Sequence, residues 1–214
     1  TGGGENVAQI PHLILDSGAD VKFTTGASTA VRMTVEADVD VDFNIATNTS
    51  AGNLVATADF EDNNAGVINL LDDVDLTAVG GTMTLSARDQ LIDPAGDSVF
   101  TAAGDLTFSS GVDTLAGGTT AFASTNGGTL SLQAITGGGQ AITMTNFNDV
   151  AINGAISGAG AVTITAPSGR GIYTHDGSAG LIITSDEMNR IATSNLNLVT
   201  VGTGDITINS GVDI

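Results

Sequence analysis

The spacing of short alternating runs constrains this fold more than any other feature. Residues 181–184, 196–199 and 206–209 each alternate, or nearly alternate, apolar with polar side chains. That is the period of a half-buried strand. Gly, Asn, Ser and Asp separate the runs, and these residues form turns. The gaps hold a strand and a bend but leave no room for a crossover helix between parallel strands. A chain wound as a solenoid, each turn stacked on the last, accepts parallel strands without such helices.

A repeated phrase supports the winding. Gly81-Thr-Met-Thr-Leu85, Gly104-Asp-Leu-Thr-Phe108, Gly128-Thr-Leu-Ser-Leu132, Gly160-Ala-Val-Thr-Ile164 and Gly204-Asp-Ile-Thr-Ile208 share one pattern, and Gly180 opens a looser copy. The starts at 81, 104, 128, 160, 180 and 204 differ by 23, 24, 32, 20 and 24 residues. The interval of 32 contains the run 141–145, which reads as an enlarged bend. A period of about 20–24 residues predicts an all-β, right-handed parallel β-helix across a single domain, residues 1–214. About nine or ten coils, each about 4.8 Å high, would make a rod on the order of 45 Å long. Leu106, Leu130, Val162 and Ile206 are then expected to point inward and stack.

Earlier runs fit the same scheme. Residues 12–15, 21–23, 31–35, 53–55, 66–70 and 74–77 read as strands. Residues 39–45 alternate most cleanly, with Val39, Val41, Phe43 and Ile45 opposite Asp40, Asp42 and Asn44. An antiparallel sandwich also uses short strands at this spacing. The hairpin dipeptide Asn-Gly occurs only at Asn126-Gly127 and Asn153-Gly154, which is sparse for that alternative. The 29 Gly and three Pro suit many tight bends between strands whose amides must pair.

Charge narrows the function classes. Five Lys plus Arg stand against 24 Asp plus Glu, a formal net charge of −19. Nucleic-acid binding needs a basic surface, so it is not expected. Docking on anionic lipid is disfavoured for the same reason. No apolar run of about 18 residues is present, so no membrane span is expected. There is no Cys, which removes disulfides and thiolate metal sites. The abrupt opening, Thr1-Gly2-Gly3-Gly4, reads as part of a longer protein.

Two acidic clusters are the candidate metal ligands: Asp38, Asp40 and Asp42, and Asp72, Asp73 and Asp75, with Asp59, Glu61 and Asp62 beside them. Calcium takes six to eight oxygens at about 2.3–2.6 Å. Carboxylates two apart on one strand are about 6.6 Å apart at their bases, too far for one ion. A calcium site therefore requires acidic groups from adjacent coils to stack laterally. The plain alternative is a solvated acidic face. No other cofactor is expected. Arg170, Tyr173, His175 and Asp176 gather functional groups within seven residues, and would suit a glycan-cleaving β-helix enzyme if a second carboxylate came from another coil. An exposed Asp-Gly turn accounts for the same residues, and no nucleophile or zinc motif is present. An enzyme is therefore not the expected reading.

One stretch breaks the strand pattern. Ser185 reads as a helix N-cap, with Asp186 and Glu187 in the first turn and Met188 and Ile191 facing the core. The phrase Ile183-Thr-Ser-Asp-Glu187-Met188-Asn-Arg190-Ile191, then Leu196-Asn-Leu198, then Gly204-Asp-Ile-Thr-Ile208, resembles the repeats of filamentous-haemagglutinin-type exoproteins. Met188 stands where Leu is usual there. The phrases from Gly81 onward are similar but less specific, and the part before about residue 75 carries no resemblance. The resemblance implies bacterial secretion, a cell-surface or extracellular location, and an adhesive or fibrous role. Its expected partners are other copies, end to end or laterally in fibres, and glycans or other cells.

Overall fold

The computed structural model describes residues 10–24, 28–60, 66–71, 73–87, 90–93, 97–114, 118–174 and 180–208. The chain is a parallel β-helix. Strands Leu13–Ser17, Val21–Phe23 and Ser28–Ala30 form the three sides of the first coil. Met33–Ala37, Val41–Phe43 and Thr47–Thr49 form the next, each hydrogen-bonded in parallel to its counterpart below. Seven such circuits close, ending with Asp149–Ile152, Ile156–Ser157 and Ala161–Thr165. The result is three parallel sheets of ten, seven and eight strands. Nine strand spacings of about 4.8 Å make the first sheet about 43 Å long.

Coil length follows from the register. In the first sheet Leu13, Met33, Leu54, Met83, Leu106, Leu130 and Val150 lie in one row, so successive coils take 20, 21, 29, 23, 24 and 20 residues. The coil from Leu54 exceeds the expected period because its corners are longer. The core sits along the axis. Members of that row from Met33 to Val150 are at most 1% exposed. Burying each such side chain is worth about 1.5–3 kcal/mol. Aromatic rows stack likewise: Phe23 on Phe43 at 5.0 Å and Phe100 on Phe122 at 5.5 Å, with Phe108 edge-on to both of the latter pair at 5.2 Å.

The glycine phrases mark corners, and the stack has three corners. Gly81, Gly104 and Gly128 lead into first-sheet strands Met83–Ser86, Leu106–Phe108 and Thr129–Leu132. A Cβ on Gly128 would lie 2.2 Å from the Gly104 carbonyl carbon, and one on Gly81 2.4 Å from that of Gly52. Backbones there approach too closely for any side chain. Gly160, however, opens a strand of the third sheet, Ala161–Thr165, paired with Ala141–Thr145. The run 141–145 is thus no enlarged bend. It is the third side of an ordinary 20-residue coil, and the interval of 32 arose from comparing two different corners.

Of the four residues expected inside, Leu106, Leu130 and Val162 are fully buried, whereas Ile206 is 44% exposed. Ile206 belongs to the outermost described rung of the first sheet, with no described strand over it. The eighth coil is irregular. Gly180–Ile182 pairs with Asp149–Ile152 on one side and with the earlier strand Gly171–Tyr173 on the other. A single helical turn, α1 (Ser185–Met188), precedes the second sheet, where Ile191 alone bridges Ile156 in place of a full strand.

Candidate functional site: carboxylates at the corners

Asp38 and Asp40 occupy the corner between the first and second sheets, and Asp42 lies on the second-sheet strand that follows. Asp38 donates its backbone N–H to the Ser17 carbonyl at 3.0 Å. Asp40 joins three coils: its carbonyl accepts from the Val21 N–H at 2.9 Å, and its Oδ1 accepts from the Val67 N–H at 2.9 Å. Asp42, on the strand itself, accepts from Lys22 Nζ below at 2.6 Å and from Asn69 Nδ2 above at 2.8 Å. Lys22 also meets Asp20 at 3.1 Å. The Asp42 and Asp20 hydrogen bonds push the Lys22 ammonium well above its ordinary pKa.

Asp73 and Asp75 lie at a different corner, between the second and third sheets. Asp73 Oδ1 accepts from the Asp97 N–H at 2.8 Å, and Asp75 Oδ1 from the Val99 N–H at 3.0 Å. Asp73 adopts φ +58°, a conformation that Asp tolerates better than most residues. Asp72, Glu61 and Asp62 lie outside the described residues. Asp73 and Asp75 therefore do not stack on Asp38, Asp40 or Asp42. Among the described residues no three His, Asp or Glu side chains converge to hold a metal ion.

A common geometry runs through these groups. Asp97 Oδ1 accepts from the Thr119 N–H at 2.7 Å, Asp105 Oδ1 from the Thr129 N–H at 2.8 Å, and Asn53 Oδ1 from the Thr82 N–H at 3.0 Å. In each case the acceptor lies on one coil and the donor on the next. A backbone N–H entering a strand from a bend lacks its ladder carbonyl and needs a substitute. A short side-chain oxygen one coil below supplies it. Charged acceptors of this kind contribute about 1.5–3 kcal/mol each, toward the lower end where exposed. Composition revealed the acidity, but the coil-to-coil pairing was hidden because donor and acceptor are more than twenty residues apart.

The helical turn is the second constellation. Thr184, not Ser185, is its N-cap: Thr184 Oγ1 accepts from the Glu187 N–H at 3.3 Å, and Glu187 Oε2 accepts from the Thr184 N–H at 2.8 Å. The reciprocal pair needs an acid at the third helical position, and starting from Thr184 places Glu187 there. Met188 is seated in the core. Glu187 Oε1 accepts from the Ile152 N–H at 3.2 Å, and Arg190 Nη1 donates to the Ile152 carbonyl. An acid and a base thus cover both main-chain groups of one strand residue. Ile191 then bridges Ile156 in parallel.

Of the proposed catalytic gathering, Arg170 Nη1 donates to Asn148 Oδ1 at 2.8 Å. The Tyr173 ring lies over the paired glycines Gly171 and Gly180. His175 and Asp176 lie outside the described residues. His12 Nε2 meets Thr34 Oγ1 at 3.0 Å on the adjacent coil. A buried polar organiser escaped the sequence reading: Ser124 Oγ accepts from the Gly127 and Gly128 N–H groups, each at 3.0 Å, and donates to the Ala103 carbonyl at 3.2 Å. Comparison with family models, with curated proteins and with solved structures finds no match for this chain.

Proposed function

We propose that this chain is a structural or adhesive segment of an extracellular rod, of the kind that filamentous-haemagglutinin-type exoproteins build at a bacterial surface. The observation that carries the reading is the use of the polar side chains. Asp40, Asp73, Asp75, Asp97 and Asp105 accept hydrogen bonds from the coil above instead of converging on one point. They act at successive corners from the second coil to the sixth, which suits a molecule whose task is to be long and stiff. The acidic exterior keeps such a rod dispersed. The phrase from Ile183 to Ile191, which carries the resemblance, builds the helical turn and the bridge to Ile156 that follows it. Its expected partners are other copies and surface glycans.

Negative-stain electron microscopy of the purified chain tests this reading. Rods whose length is a few times their width, joining into fibres or decorating glycan-coated particles, are expected. Compact particles that release new reducing ends from polysaccharides would replace it with the enzymatic alternative.

A further inference from the structure

The three outer faces differ in charge. The first sheet carries outward Asp16, Glu36 and Asp149, and the second carries Lys22 and Asp42. The third sheet carries none. Its eight strands, from Ser28–Ala30 to Leu196–Val199, contain no Asp, Glu, Lys, Arg or His. In a chain of formal charge −19 this is the side on which like molecules repel least. One straight outward row on it reads Asn48, Thr77, Thr101, Ala123, Thr145 and Thr165. These side chains are short, so two such faces can approach to about the 10 Å spacing of stacked sheets.

We propose that the outer face of the third sheet pairs with the same face of a second copy of this chain. Eight strands about 4.8 Å apart, three to six residues long, give roughly 38 Å by 14 Å, or about 540 Å² per partner. The pair would bury about 1,100 Å² in total, at the low end of specific interfaces. A weak association follows, and it strengthens with salt as the acidic flanks are screened. The inference rests on the structural-rod reading and deepens it by naming the lateral contact.

Sedimentation equilibrium up to about 1 mM chain, in about 0.15 M and 0.5 M sodium chloride, tests it. The variant Thr101→Glu/Thr163→Glu places two charges on the third sheet. The control Thr84→Glu/Ser131→Glu places two on the first sheet, two rungs apart to avoid direct like-charge contact. Circular dichroism verifies that both fold. The wild type is expected to dimerise, more tightly at high salt. The third-sheet variant should weaken dimerisation at least tenfold, and the control less than threefold. A wild type that stays monomeric throughout, or two variants weakened equally, overturns the proposal. In that event, isolated rods in micrographs would leave the rod reading standing, whereas compact globules would remove both.

Discussion

Asp75 shows how one side chain ties two coils together. Its carbonyl accepts from the Thr47 N–H on the coil below, and its carboxylate accepts from the Val99 N–H on the coil above. Asp75→Ala leaves the Val99 N–H without that acceptor, so chemical denaturation should show a loss of about 1–2 kcal/mol, with Asp75→Asn recovering most of it. The same holds for Asp105→Ala at another corner, and the two losses should add because the sites share no partner. Glycine gives a sharper contrast. A Cβ on Gly128 would lie 2.2 Å from backbone, whereas one on Gly104 would meet the Thr82 methyl at 3.4 Å. Gly128→Ala should therefore lower stability by about 3 kcal/mol, and Gly104→Ala by less than about 1 kcal/mol. Equal losses would mean that the glycine stack is not as described.

At the scale of the element, the turn at Ser185–Met188 caps the corner at Ile152 before the chain bridges Ile156 through Ile191. Thr184→Ala removes the cap and should cost about 1 kcal/mol by denaturation, whereas Ser185→Ala should cost much less. The acids and the core-facing Met188 were legible because a helix start has a local signature. The cap was misplaced by one residue because Thr and Ser adjoin and either can serve. Alternation made individual strands legible for a similar reason: a strand with one buried face writes a period of two. Which sheet a strand joins is not written locally. Gly160-Ala-Val-Thr-Ile164 and Gly128-Thr-Leu-Ser-Leu132 read alike because every corner makes the same demand, yet they lie on different sides. The irregular eighth coil was equally invisible, since Gly171-Ile-Tyr173 and Gly180-Leu-Ile182 both look like rungs and only pairing decides their order.

At the scale of the whole molecule, an axial core is held inside a polar surface whose charge is mostly acidic and lies off the third sheet. The net charge of −19 opposes compaction at low ionic strength. Raising sodium chloride from about 10 mM to 150 mM shortens the screening length from about 30 Å to 8 Å, so the melting temperature should rise by several degrees. A fall would show that ion pairs such as Lys22–Asp42 outweigh the general repulsion. Because Asp40, Asp73 and Asp75 already accept backbone N–H groups, a chelator should shift the melting temperature by less than about 2 °C. A larger drop would establish a structural cation.

The central claim is the parallel winding itself, and the absence of Cys allows it to be read with paired spin labels. Labels at Thr143→Cys and Thr163→Cys sit on adjacent rungs of the third sheet, about 5 Å apart at the backbone. Labels at Ser131→Cys and Thr163→Cys sit on different sheets. Strong dipolar broadening for the first pair and weak broadening for the second is the predicted result. The reverse would contradict the parallel winding.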